Sequence, residues 1–262
     1  MKSLISINRK FMDINLKKFI ELINNSKYTK GVELYIDIHN DDEIKYLNDL
    51  IYELKKYNLI LQIHGNSELD IKEQIKFLKL LENISDYLEQ KIVVTLHSIY
   101  NENKELSLIL TKEYISKVAN SVDNEKVVIC LENLNDVPGY DRLEKENIRD
   151  YLVKNKEVYF TYDIGHEIAD YGNITNLDDD FIKDIRNIHI HTNDGKGNDH
   201  QPIYLNDSNW NKVVKGIVFL INNNYQYNIV YEYDLYACHG ETKVDKVKDY
   251  LSSIDLVSEH YN

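Results

Sequence analysis

The stretch that decides the fold is GVELYIDIHNDDEIKYLNDLIYELKKYNLILQIHG, residues 31–65. It contains two runs of apolar and β-branched residues, VELYI (32–36) and LILQI (59–63). Continuous runs of this kind favour strands that are buried on both faces, as in a parallel sheet. Between the two runs, apolar residues recur at helical spacing from Ile44 to Leu54. The segment therefore predicts a strand, a helix and a second strand parallel to the first.

The same unit repeats along the chain. The other apolar runs are LISI (4–7), IVVTL (92–96), VVICL (127–131), VYFTY (158–162), IHI (188–190) and NIVYEY (228–233). Helical spacing occurs at 16–23, 71–81 and 213–220, and weaker helices fit 111–120, 143–154, 178–184 and 243–257. Open doubly wound sheets seldom carry eight such units, and no Gly-x-Gly-x-x-Gly turn follows the first strand. We predict an α/β fold, a single-domain (β/α)₈ TIM barrel over residues 1–262, with function in the loops at the carboxyl ends of the strands.

Composition narrows the class of partner. The chain has 262 residues, of which 43% are hydrophobic and 29% charged, a normal globular balance. Its 31 basic and 44 acidic residues give a net charge of −13, which disfavours a broad nucleic-acid or anionic-membrane surface without excluding a local basic groove. With two cysteines, Cys130 and Cys238, a disulfide framework and a Cys-rich zinc module are excluded. We see no signal peptide and no apolar run long enough to span a membrane, so we expect a cytoplasmic protein.

Histidines and carboxylates stand where the predicted strands end. In chain order these residues are His39, His64, His97, Glu132, Asp163, His166, His191 and Glu232, with His200 further along the loop after strand seven. The carboxyl ends of the strands of a barrel meet at one rim, so we expect these side chains to converge. Together they form the ligand set of Zn²⁺ and Mn²⁺, whereas carboxylates without a cation would repel one another. The sequence therefore predicts a divalent metal site.

Each candidate also has a structural interpretation. A lone histidine at a strand end is more often hydrogen-bonded than bound to a metal, and this applies to His64 and His97. A carboxylate inside an apolar strand is costly unless it is paired or coordinated. Glu132, Asp163 and Glu232 therefore carry most of the prediction.

Alternation along the strands assigns supporting positions, because side chains two residues apart share a face. If Glu132 points into the barrel, Cys130 also points in, one layer lower, as filler. By the same rule His189 lies beneath His191, where a buried hydrogen bond or support of a ligand is expected. His39 lies in a polar loop that also fits the cap of the second helix.

Three motifs carry a resemblance to a known family. They are LEN (131–133), D-x-G-H (163–166) and H-x-N-D-G-K-x-x-D-H (191–200). With them, the chain from strand two to strand eight resembles the xylose isomerase-like TIM-barrel superfamily. That superfamily includes sugar-phosphate isomerases and epimerases and the endonuclease IV group.

The endonuclease IV group implies three zinc ions held by nine residues. By this resemblance His64 and His97 bind the first ion, Glu132 bridges to a second, Asp163, His191 and Glu232 complete the second site, and His166 and His200 hold the third. The ninth ligand in the family is an Asp, and this chain has Asn198 in its place, with Asp199 next to it. Either Asn198 or Asp199 is therefore open as a third-site ligand.

The epimerases of the superfamily imply a single ion. It would be held by Glu132, Asp163, His191 and Glu232, and the two glutamates would also act as acid and base. The chain departs from these enzymes in two places. It has Pro138 where they carry a further Glu, and it lacks the Gly-Glu-Gly that often follows the strand-seven histidine.

Substrate contacts are predicted for two further residues. Asn133 belongs to the LEN motif, and Lys196 lies in the GKG loop after strand seven. We expect Lys196 to meet a phosphate or a hydroxyl, although a solvated loop lysine is the commoner role.

Three functions follow, in this order. The first is a divalent-metal-dependent isomerase or epimerase of a small sugar or sugar phosphate, acting through a metal-stabilised enediolate. The second is an endonuclease IV-like phosphodiesterase at abasic DNA, which His64 and His97 favour and the net charge opposes. The third is a barrel that binds a sugar without catalysis. One to three ions, Zn²⁺ or Mn²⁺, are expected, and the oligomeric state is not predicted.

Overall fold

Eight parallel strands close into a barrel in sequence order, which confirms the predicted fold. The computed structural model describes residues 1–65, 70–99, 101–134, 150, 157–174, 177–193, 200–205 and 207–261. The strands are β1 (Ser3–Ile7), β2 (Thr29–Tyr35), β3 (Ile60–His64), β4 (Ile92–Leu96), β5 (Val127–Glu132), β6 (Val158–Asp163), β7 (Ile185–Ile190) and β8 (Asn228–Tyr231). Pairing of Ser3 with Ile229 closes the barrel between β1 and β8.

Helices surround the barrel within the described residues. They are α1 (Leu16–Asn25), α2 (Asp41–Tyr57), α3 (Ile71–Leu88), α4 (Lys104–Ala119), α5 (Ile164–Tyr171), α6 (Asp179–Asp184), α7 (Trp210–Asn222) and α8 (Lys243–Ser258), with 3₁₀ turns at Arg9–Phe11 and Leu235–Ala237. The predicted helix at 143–154 falls, apart from residue 150, outside the described residues. Every helix in the described part of the chain is too short or too polar to cross a bilayer.

Local sequence explains the helix between β2 and β3. Asn40 precedes α2, and its side-chain oxygen accepts hydrogen bonds from the backbone N–H groups of Asp42 and Glu43. Three leucines at helical spacing, Leu47, Leu50 and Leu54, are fully buried. The helix ends at Asn58, which adopts a left-handed conformation with φ 52° and closes the last turn. The cap and the apolar stripe together dock α2 onto the barrel.

The interior of the barrel is polar below the rim. Thr95 of β4 and Thr161 of β6 hydrogen-bond through their hydroxyls at 2.8 Å. The amide nitrogen of Asn187 donates to Glu33 Oε2 at 3.0 Å and lies 3.3 Å from Thr95 Oγ1. Cys130 pairs in register with Thr95 and is fully buried, as predicted. This polar layer lies inside the barrel, directly below the strand-end residues.

Candidate metal centre and active site

The strand-end residues converge on one cavity of about 540 Å³ at the carboxyl ends of the strands. Six of the residues predicted from the sequence line it: His64, His97, Glu132, His166, His200 and Glu232. Two others, Asp163 and His191, are fully buried and in contact with this group. The predicted convergence at one rim is therefore present.

A deep cluster forms around Glu132. His97 Nε2 donates to Glu132 Oε2 at 3.0 Å, and His64 Nε2 lies 3.4 Å from the same oxygen. On the other side, His189 Nδ1 lies 3.0 Å from Glu132 Oε1 and 3.2 Å from Glu232 Oε2. Single ligand atoms of Glu132, Asp163, His189 and Glu232 all lie within 4.8 Å of one another. This spacing is compact enough for one ion.

A second cluster of three histidines stands beside it. Nitrogens of His166, His191 and His200 lie within 4.8 Å of one another. His191 Nε2 is 3.3 Å from Asp163 Oδ1, so Asp163 links this cluster to the deep one. His200 has φ 57°, the left-handed region that a residue with a side chain adopts only at a cost in free energy. Strained backbone of this kind is often associated with functional sites.

The grouping differs from the expected ligand set at one place. The resemblance puts His191 with Glu132, Asp163 and Glu232, whereas His189 is the histidine whose nitrogen lies among those three carboxylates. His191 instead groups with His166 and His200. His191 follows the last residue of β7, Ile190, so it stands at the rim while His189 stays inside the barrel.

The glycine of the D-x-G-H motif, Gly165, is required for steric reasons. Asp163 ends β6 and caps α5, since its Oδ1 accepts from the backbone N–H of His166 at 2.7 Å. A Cβ on Gly165 would lie 2.4 Å from Cε1 of His191, closer than atoms approach without displacement. Only glycine at position 165 lets the His191 ring lie against this turn and reach Asp163.

Asn133 fastens β5 to β6 directly beside the site. Its side-chain oxygen accepts from the backbone N–H of Asp163 at 2.8 Å, and its amide nitrogen donates to the Asp163 carbonyl at 3.0 Å. The backbone carbonyl of Asn133 also lies 3.0 Å from His166 Nδ1. These contacts orient Asp163 and His166, and a direct contact of Asn133 with substrate stays a prediction.

The residues fit a divalent cation. Asp163 Oδ2, His191 Nε2 and His64 Nδ1 are buried atoms without a hydrogen-bond partner among the described residues. Buried polar atoms are normally paired, so atoms left in this state point to a ligand that supplies the missing interaction. Atoms bound to one ion at about 2.1 Å stand roughly 3.0–3.4 Å apart. The 3.3 Å from His191 Nε2 to Asp163 Oδ1 has this value. Carboxylate and imidazole donors suit Zn²⁺ or Mn²⁺.

The charges of the deep cluster stabilise one another. Burial alone would lower the pKa of His189, but the carboxylates of Glu232, Glu33 and Glu132 outweigh burial and raise this pKa well above 6.5. Burial alone would raise the pKa of Glu132, but His189, with His64 and His97, lowers it well below 4.5. Glu232 is affected in the same way, since the charge of His189 lowers its pKa against the effect of burial. Both glutamates are therefore ionised, which is the form that binds a cation.

Two histidines of the second cluster have pKa values that shift in opposite directions. Burial disfavours the charged form of His191, yet the carboxylate of Asp163 raises its pKa to about 9. His200 has a lowered pKa, because burial and the neighbouring charge of His191 both disfavour protonation. A neutral imidazole is the form that binds a metal ion, so His200 is ready for that role at neutral pH.

Several cavity residues were not predicted from the sequence. They are Ser6, Asn8, Lys10, Tyr35, Leu134, Tyr233 and Asp234. Lys10 Nζ forms an ion pair with Asp234 Oδ2 at 2.8 Å across the ends of β1 and β8. The strand-end rule could have found these two residues, because Asn8 and Lys10 lie one and three residues after the end of β1.

Five further residues of the sequence analysis are not among the described residues that line the cavity. Lys196, Asn198, Asp199 and Pro138 fall outside the described residues. His39 is more than half exposed and faces Glu73 at 3.4 Å, while Asn40 caps the second helix.

Comparisons with known proteins were made for sequence and for structure. No family model matches the chain. An uncharacterized protein of Methanocaldococcus jannaschii is 27% identical over 219 residues, which cover 78% of this chain and 82% of that protein. A DNA ligase of Wigglesworthia glossinidia brevipalpis is 30% identical over 149 residues, 57% of this chain. The chain spans only 23% of the length of that ligase, so the match gives no ground for ligase activity.

Solved structures match over the whole chain. A D-tagatose 3-epimerase-like protein is 19% identical, covers 99% of both chains and has a TM-score of 0.64. The 3-keto-D-glucoside 4-epimerase of E. coli is 14% identical with a TM-score of 0.69, and a xylose isomerase domain protein of Alicyclobacillus acidocaldarius is 12% identical with a TM-score of 0.69. Each covers 99% of this chain. The resemblance to xylose isomerase-like TIM barrels, predicted from strand-end motifs, is thus confirmed for the fold.

Proposed function

We propose that this protein is a metal-dependent isomerase or epimerase that acts on a small sugar or sugar phosphate. The observation that carries the proposal is the position of Glu132 and Glu232. Glu132 ends β5 and Glu232 directly follows β8. Both line the same cavity and are ionised beside a set of metal-binding groups. The solved structures that share the fold include sugar epimerases, which supports the same reaction type.

The two glutamates would move the proton. A divalent ion held by Glu132, Asp163 and Glu232 with the neighbouring histidines would polarise the substrate carbonyl and offset the charge that develops when the adjacent C–H bond breaks. One glutamate removes the proton from the carbon next to the carbonyl, and the electron pair moves into an enediolate. The other glutamate, ionised at the start, takes a proton from water and passes it to the substrate. At the rim, Asn8, Lys10 and Tyr35 line the cavity, where they would bind substrate hydroxyls or a phosphate.

Proton exchange tests this proposal without knowledge of the sugar. The protein is loaded in turn with Mn²⁺, Zn²⁺, Co²⁺ or Mg²⁺ in D₂O, and a panel of ketoses, aldoses and their phosphates is followed by NMR for deuterium entry beside the carbonyl. We expect exchange with at least one sugar and a loss of about 10²–10⁴-fold in Glu132→Gln and in Glu232→Gln.

A matched control uses the same substitution at another buried glutamate. Glu43 is buried and accepts a hydrogen bond from the backbone N–H of Asp37, outside the cavity. Glu43→Gln should keep full exchange. Exchange that survives both cavity substitutions, or a panel in which no sugar exchanges, would contradict the proposal.

Two observations favour phosphodiester chemistry as the second candidate. His64 and His97 both lie against Glu132, and His166, His191 and His200 form a further cluster, although a one-ion epimerase does not require His64 and His97. The net charge of −13 opposes DNA binding. Metal-dependent nicking of a duplex with one abasic site would place this candidate first, and its absence with one, two or three zinc equivalents would remove it.

A sugar-binding barrel without catalysis is the third candidate. It is supported if a sugar of the panel binds tightly but neither exchanges deuterium nor gives product over a long incubation.

A further inference from the structure

A buried carboxylate lies below the metal cavity and outside the proposed ligand set. Glu33 of β2 reaches across the barrel to His189 of β7, and both residues are completely buried. His189 Nε2 donates to Glu33 Oε2 at 3.2 Å and lies 3.0 Å from Oε1. A carboxylate is costly to bury, so its retention in the centre of a barrel needs a reason.

Asn187 contacts both Glu33 and the Nε2 atom of His189. Its amide nitrogen donates to Glu33 Oε2 at 3.0 Å and lies 2.9 Å from His189 Nε2. Glu33 Oε2 therefore lies within hydrogen-bond distance of a nitrogen from each of the two residues of β7. Contacts with Glu33 and Asn187 therefore hold the Nε2 edge of the His189 ring in one place.

The upper end of the same ring faces the metal cavity. His189 Nδ1 lies 3.0 Å from Glu132 Oε1 and 3.2 Å from Glu232 Oε2. The imidazole ring is planar and rigid, so a contact that fixes Nε2 also fixes Nδ1. A change in the position of Glu33 would therefore move His189 and, through it, the two carboxylates that face the cavity.

We propose that Glu33 is a positioning residue for the metal centre, acting through His189 to set the spacing of Glu132 and Glu232. Its effect on turnover rests on the proposed function. Its effect on metal affinity does not, because metal binding is measured without substrate. Substitution of a residue that hydrogen-bonds to a metal ligand and orients it typically changes metal affinity by about 10–100-fold.

A double-mutant cycle separates positioning from a general role in the core. Glu33→Gln has nearly the same shape and removes the charge. Chelator-treated protein is titrated with Co²⁺ by calorimetry, and the visible spectrum of the bound ion is recorded. We expect Glu33→Gln to weaken Co²⁺ binding about tenfold and to shift the spectrum, but to have less than a twofold effect when His189→Asn is already present.

Gln62 provides the matched control. It pairs in register with Glu33, is 1% exposed and has no hydrogen-bond partner for its amide among the described residues. Gln62→Leu should leave Co²⁺ affinity and spectrum unchanged, whatever it does to the melting temperature. Equal losses for Glu33→Gln with and without His189→Asn, or a loss in Gln62→Leu as large as in Glu33→Gln, would overturn the inference. A wild-type protein that binds Co²⁺ but exchanges no sugar would refute the proposed function and leave this test intact.

Discussion

Single residues decide how closely the metal-binding groups approach one another. Gly165 is the clearest case, because its missing side chain makes room for the His191 ring. We expect Gly165→Ala to displace this ring and weaken divalent metal binding by about 10–100-fold, the range seen when a ligand is misplaced. Calorimetric titration of the chelator-treated protein measures this. Gly172→Ala is the control, since nothing lies within 4 Å of its added carbon and its positive φ affects only stability. Unchanged metal affinity in Gly165→Ala would refute the steric argument.

The two thiols should be inert in the folded protein. Burial raises the pKa of Cys130 and of Cys238 to about 12, so roughly 10⁻⁴ of each is ionised at pH 8. We expect slow reaction with a disulfide reagent in the native state and rapid reaction of both thiols after denaturation. Fast labelling of either thiol in the native protein would show that its surroundings open readily.

At the scale of elements, the cap of α2 ties that helix to the loop after β2. Asn40→Ala should lower the free energy of unfolding by about 1 kcal/mol, because two backbone N–H groups lose their acceptor. Urea denaturation measures the loss. Asn40→Asp keeps an acceptor and should restore stability, whereas equal destabilisation by both substitutions would assign the effect to the loop instead.

Strand and helix positions could be predicted because each depends on local spacing. The strand-end residues could also be predicted, since the carboxyl ends of all strands meet at one rim and charged residues there interrupt apolar runs. Glu132, Asp163 and Glu232 illustrate this, as each ends or directly follows its strand.

The polar interior was harder to predict, although a signal exists. Gln62, Thr95 and Thr161 each lie two residues before a strand-end His or Asp and so share its face. Such positions are hard to predict, because a mostly apolar run suggests a uniformly apolar strand. The partner of Glu33 is His189, more than 150 positions away, and only the closure of the barrel brings them together. No pattern within one strand contains that contact.

At the scale of the whole molecule, metal binding should stabilise the barrel. A ligand that binds only the folded state at 100 times its Kd adds about 2.7 kcal/mol, which raises the melting temperature of a domain this large by roughly 5–10 °C. We expect Zn²⁺ or Mn²⁺ to produce this rise and a chelator to reverse it. Asp163→Asn should abolish it, and Asp86→Asn, at an exposed ion pair with Lys126, should not. A melting temperature that does not respond to any divalent ion would contradict the proposed metal centre.

The left-handed backbone at His200 has a consequence for attempts to improve this protein. Glycine adopts that conformation freely, so His200→Gly should relieve about 1 kcal/mol of backbone cost while it deletes an imidazole from the rim. One substitution would then raise the melting temperature of the metal-free protein and lower its affinity for the metal ion. Selection for thermal tolerance alone should discard this histidine, and selection that also demands turnover should keep it.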